Sequence, residues 1–438
     1  MNKPRALVVL LLLTPLLTFA AVHSSPASPQ PPDCSQGGGC AGSTCQQSIT
    51  AASSTVPAAA CPAHGESQGG VDVFSWNEFI AFNWPASSNC AANPAKSILS
   101  VKSGAQGPVV WQTQMSADDV FVAPGKTPAA WCKGPALAAL LSNQPRTFLH
   151  TAKATAAAHL LGAPFAEIAE PTGVKAVGGV VTDQSGRWLR FERLMNQTEY
   201  NRVVPSQWYR LAVLDKLPAI TLPTGSIELK SAWKILTPQE IAGGRYYTTV
   251  ATVYNTPDEG PDRKPSPGKN PVTLGLVGLH IIHKTPQQSG FFWSTFEQVD
   301  NDKVFFNPAS NTAVNTQTAK EPFVELNPNG TAHNLPVQIQ RVTKIPATPS
   351  LNAYYQSLLA GSVFANYRLI STQWQTGGAP QGTPPGVADI VIETYVQKVS
   401  SPATGKTVYT GCLACHANAT AANKKTVTDH SFLFLEAK

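Results

Sequence analysis

Residues 274–285 read LGLVGLHIIHKT, an aliphatic run broken by glycines and two histidines and ended by Lys284-Thr285. A strand with one wet face alternates apolar and polar residues, whereas one buried on both faces does not. The run therefore predicts a strand in the middle of a sheet, and the segments around it supply its flanks. SIELKSAWKIL (226–236) alternates as a strand, and YYTTVATVYN (246–255) is aromatic and β-branched. Between them TPQEIAGG (237–244) reads as a helical turn. GGVVTDQSGRWLRFERL (178–194) reads as a hairpin around Asp183-Gln184-Ser185-Gly186. GFFWSTFE (290–297), VFANYRLISTQWQ (363–375) and DIVIETYVQ (389–397) continue the body in mixed style.

Helical signals are fewer. SWNEFIAFNWPA (75–86) opens on an N-cap serine, Ser75, places Trp76, Phe79, Ile80 and Phe82 along one side, and stops at Pro85. ALAALLS (136–142) and TAKATAAAHLL (151–161) are alanine-rich helices. Strands that arrive in neighbouring runs predict an α+β fold, a large β-rich body with short helices, over a doubly wound sheet. The 37 prolines and 32 glycines imply many turns and long loops.

The chemistry is concentrated in GCLACHANAT (411–420), where Cys412, Cys415 and His416 have C-x-x-C-H spacing. Two thiols three positions apart add across the vinyl groups of a haem, and the adjoining histidine falls beneath the iron. A redox dithiol would follow a strand in a βαβ setting, which is not evident here. A zinc site needs a second ligand pair, and the chain has no other C-x-x-C. One covalent haem c is expected, with His416 as proximal ligand and the preceding sheet building its pocket.

Compartment supports that expectation. MNKPR followed by ALVVLLLLTPLLTFAAV reads as a secretory signal peptide, residues 1–24, with cleavage after Ala20 or Ser24 and an uncleaved anchor as the alternative. A Gly/Ser/Pro-rich leader (25–70), the body (71–400) and a haem-attachment segment (401–438) follow. The cysteines outside the motif, Cys34, Cys40, Cys45, Cys61, Cys90 and Cys132, are an even set that an exported chain would oxidise. Pairing within 34–61 and a Cys90–Cys132 bridge is the expected pattern. A periplasmic or secreted location follows. No later segment is apolar enough to span a membrane after signal cleavage, and the charge excess of 6 with no basic run excludes a nucleic-acid partner.

SWNEFIAFNWPA, TDQSGRWLRFERLMN, IELKSAWKIL, GLVGLHIIHKT, FFWSTFEQVDN, YRLISTQWQ and GCLACHANA together resemble a group of large secreted bacterial proteins of the cytochrome c family. The resemblance runs from residue 75 to 417 and implies a single-haem protein without an assigned substrate. Such proteins tend to read DFSFLL where this chain has Asp429-His430-Ser431-Phe432, so no role carries over to His430.

The sixth position on the iron is open between several side chains. His280 and His283 interrupt an otherwise apolar strand and need partners there. Their odd separation puts them on opposite faces. His280 is the first candidate distal ligand, with His283, His430 and Met195 as alternatives, beside hydrogen bonding of a strand histidine to a residue such as Glu297, or an open iron. Trp233, Trp293, Phe296 and Trp374 are candidate pocket aromatics, and Lys230, Lys284, Arg245 and Arg368 candidate partners for the haem propionates. The leading function is an electron carrier serving a redox partner protein or a small-molecule donor or acceptor. A haem peroxidase or oxygenase with an open iron, or a haem-based sensor or structural protein, are the rivals. Whether the chain is an enzyme, and its oligomeric state, stay open at this level.

Overall fold

The computed structural model describes residues 52–58, 68–104, 107–142, 145–148, 167–169, 175–177, 189–253, 271–286, 290–301, 323–326, 332–335, 349–376, 379–381, 389, 391–392, 398–400, 407–409, 412–417 and 419–438. The signal peptide, the four cysteines from Cys34 to Cys61, the helix expected at 151–161 and the hairpin turn at 183–186 lie outside them.

The fold is α+β. Nine strands form the main sheet: β1 (Met115–Ser116), β2 (Arg146–Phe148), β3 (Arg190–Met195), β4 (Ile227–Ile235), β5 (Thr248–Val253), β6 (Val272–His283), β7 (Phe292–Gln298), β8 (Tyr367–Thr376) and β9 (Ala379–Gln381). Their order is β1-β3-β4-β6-β7-β8-β9, with β5 also on β6 and β2 on β5. Every pairing is antiparallel except β2 with β5.

The run at 274–285 is the hub of this sheet. One edge of β6 pairs with β4 from Leu274 to His283; the other meets β5 over Val272–Gly275 and β7 over Gly278–His283. With both edges and both faces covered, every residue from Leu274 to His283 is buried, which explains the missing alternation. Gly278 permits a close approach: a Cβ there would stand 2.5 Å from Val391 Cγ2.

On one face, helices α1 (Gln68–Phe82) and α2 (Pro349–Leu358) close the larger core, where Phe79 stacks on Phe296 with ring centroids 4.3 Å apart. The expected start of α1 at Ser75 is corrected: the helix begins at Gln68, and Ser75 lies inside it. Its hydroxyl bonds back to the Val71 carbonyl at 3.1 Å and across to Thr372 Oγ1 at 2.7 Å, a mid-helix use of serine that mimics a cap in sequence. At 237–244 the expected turn of helix forms, capped by Thr237 and Glu240 and ended by Gly244 at φ 63°. Arg190–Met195 pairs with β4 and β1.

The opposite face receives α3 (Cys412–His416) and the segment after it. Cys412, Leu413, Leu433 and Phe434 share an apolar cluster with Met195, Ile282, Trp293 and the 203–222 region. Leu211 donates its N–H to the Lys438 carbonyl at 3.0 Å, and Val427 bridges Ala219. Cys90 and Cys132 are bonded, Sγ–Sγ 2.06 Å. Among the described residues no helix is long and apolar enough to cross a membrane.

Candidate haem-attachment site

The C-x-x-C-H residues form a single helical turn packed against β8. Leu413 is fully buried and donates its N–H to Gln373 Oε1 at 3.4 Å, while Cys412 is 4% exposed. Asp429 and His430 follow in left-handed conformations, φ 51° and 71°, and this turn brings the His430 carbonyl to His416. His416 Nδ1 lies 2.8 Å from that oxygen. A donated Nδ1–H fixes the tautomer whose lone pair is on Nε2, the form that binds a metal. The rings of Trp293 and Phe432 pack on the imidazole, centroids 4.1 and 4.6 Å away.

The loop is anchored from below. Asp429 pairs with Lys284 and accepts the Leu222 N–H at 2.7 Å. Burial pushes its carboxyl up, but the His430 ring 3.9 Å away, Lys284 and that N–H together hold it below the usual range.

The residues proposed for the iron's other face are scattered by the fold. Trp293 Nε1–H donates to His280 Nδ1 at 3.2 Å, and His280 Nε2 faces Asp389 Oδ2 at 3.2 Å. An imidazole that accepts at Nδ1 keeps its proton on Nε2. Asp389 in turn accepts the N–H groups of Val391 and Ile392 at 2.9 and 3.2 Å. Both nitrogens of His280 thus face partners in the fold, and Asp389 and Trp293 stand where Glu297 was expected. Glu297 instead lies 3.6 Å from Arg368.

His283 points to the α1 side, Nδ1 2.5 Å from Glu78 Oε1 and its ring stacked on Phe74. Met195 is fully buried opposite Met115, within the cluster that holds Cys412. His430 supplies the carbonyl at His416 Nδ1, and its own ring lies 6.1 Å from that of Phe291. Of the four aromatics proposed for a pocket, Trp293 touches His416; Trp233, Phe296 and Trp374 belong to other clusters.

Sequence reasoning missed a pair of acids under the loop. Glu199, on the helix Gln197–Val203, and Glu228, on β4, are buried beside Ser431 and Asp429. Burial, with the Glu228 charge adding to it, pushes Glu199 well above the usual range; burial pushes Glu228 up to about 7. No motif connects them, and only the packing of that helix on the sheet brings them together.

The donor chemistry fits a covalent haem: two cysteines on one helical turn, an imidazole with its tautomer fixed, and buried donors without acceptors on the sheet beneath. No family model matches this chain, and the searches of curated proteins and solved structures gave no match.

Proposed function

We propose that Cys412 and Cys415 carry one haem c through thioether bonds, that His416 is its axial ligand, and that the protein transfers single electrons. The observation that carries this reading is the hydrogen bond from His416 Nδ1–H to the His430 carbonyl at 2.8 Å within a C-x-x-C-H turn. A bound haem supplies a one-electron iron couple. The chain's own residues do the rest. The carbonyl makes His416 a stronger donor. Trp293 and Phe432 hold the plane of the imidazole. Lys284 and Asp429 pin the turn that presents the carbonyl. An exported chain reaches the compartment where haem c is attached, most simply the periplasm, and meets its donor and acceptor there.

The test is expression in a host that matures cytochromes c. The purified protein should keep haem on a denaturing gel and gain the mass of one haem. Cys412→Ala with Cys415→Ala should lose both signals. Haem that acid-acetone strips, or a mass without addition, overturns the reading.

A further inference from the structure

The sheet face beneath α3 carries polar atoms that the fold leaves unmet. Thr295 Oγ1, Ser371 Oγ and Gln373 Nε2 are buried without a hydrogen-bond partner, in residues 1, 2 and 3% exposed. Register gathers them. Thr295 pairs with His280 on one side and Ser371 on the other, and Gln373 pairs with Trp293. Cross-strand partners and residues two apart share a face, so Trp293, Thr295, Ser371 and Gln373 form a two-by-two block. This block adjoins the attachment turn: Gln373 Oε1 accepts the Leu413 N–H, and Trp293 lies against His416. With Oε1 engaged, the amide turns its N–H donors elsewhere.

The neighbouring hydroxyls on the other face behave differently. Ser75 bonds Thr372 at 2.7 Å and Ser294 at 2.8 Å. Unmet hydroxyls are therefore not a general habit of β7 and β8; here they fall on the side of the attachment turn. A buried donor without an acceptor is costly, and a specific one calls for an explanation. What meets these must take several hydrogen bonds beside a covalently tethered haem. The cations first considered for the propionates are already engaged: Lys284 with Asp429, Arg245 with Asp300, Arg368 with Glu297, and Lys230 over the Phe191 ring at 5.4 Å.

We infer that Thr295, Ser371 and Gln373 receive a haem propionate, the two hydroxyls and the amide N–H donating to its carboxylate oxygens. The inference rests on the haem reading above. A carboxylate that accepts two or three such bonds stays ionised without an adjacent cation, and bonds to an ionised acceptor are stronger than neutral ones.

Thr295→Val with Ser371→Ala tests it, made both in the haem-loaded protein and in the Cys412→Ala/Cys415→Ala background. Without haem, removing unmet hydroxyls leaves the melting temperature unchanged or raises it. With haem, the same change removes the donors: Tm falls by about 2–4 °C and the propionate bending band in resonance Raman spectra shifts. Opposite signs in the two backgrounds are the expected result. If the haem-free background fails to fold, the Raman band of the loaded protein decides alone. An unshifted band, or a Tm that holds or rises in both forms, overturns the cradle and assigns the hydroxyls to ordered water. A parent that takes up no haem overturns both this inference and the reading beneath it.

Discussion

At His416 the tautomer is set by a backbone carbonyl, and this separates two histidines that look alike in sequence. His430 contributes its main chain; His280 accepts the Trp293 indole N–H and turns its other nitrogen toward Asp389, 3.2 Å away. His430→Gly keeps the carbonyl and relaxes a residue held at φ 71°, so haem attachment and the visible spectrum should be unchanged. His280→Ala leaves the buried Trp293 indole N–H without its acceptor. It should cost about 1–3 kcal/mol in denaturant unfolding while the haem stays attached. A spectrum altered by His430→Gly, or an His280→Ala variant as stable as the parent, would contradict this assignment of roles.

Between elements, the pair formed by Glu199 and Glu228 makes stability depend on pH. Asp429 faces both, Ser431 and Arg193 face Glu228, and Arg193 is itself paired with Glu436 at 2.7 Å. Both carboxyls titrate above their unfolded value of 4.5, Glu228 at about 7. From 4.5 to about 7 the folded protein holds more protons than the unfolded chain, so stability falls as pH rises through that window. Urea unfolding at pH 5 and pH 8 should show the loss, and Glu228→Gln should flatten it; equal slopes in both proteins would rule the pair out as its source. None of this was legible in the sequence, because an acid in a helix and an acid in a strand meet only through packing. The same holds for Thr295 and Ser371, each an ordinary strand residue until register sets them side by side. The sheet itself was more readable. The lack of alternation along β6 announced burial on both faces, and Thr237 with Glu240 announced a capped turn. The start of α1 was not readable, because Ser75 bonds its own helix. His280 could be seen to need a partner, but Asp389 lies too far along the chain to be named.

Taken whole, the molecule treats the attachment segment as part of its interior. Leu413 and Phe434 are fully buried and Leu433 nearly so, each stabilising by about 1.5–3 kcal/mol. Their sum is comparable with the roughly 5–15 kcal/mol that holds a typical domain together. Deleting residues 412–438 should therefore lower the melting temperature sharply, or abolish the cooperative transition, and expose the cluster around Met195 and Trp293 to a hydrophobic dye. A truncated protein that melts like the parent would show the cluster to be dispensable. The burial of Cys412 also fixes a sequence of events. A cysteine only 4% exposed is out of reach of any ligating enzyme. Haem, if it joins as proposed, must join while the turn is still undocked, and docking then seals the bond behind it. On that proposal the native state is the outcome of maturation and a poor substrate for it, so folding that runs ahead of haem delivery would leave molecules closed and unable to mature.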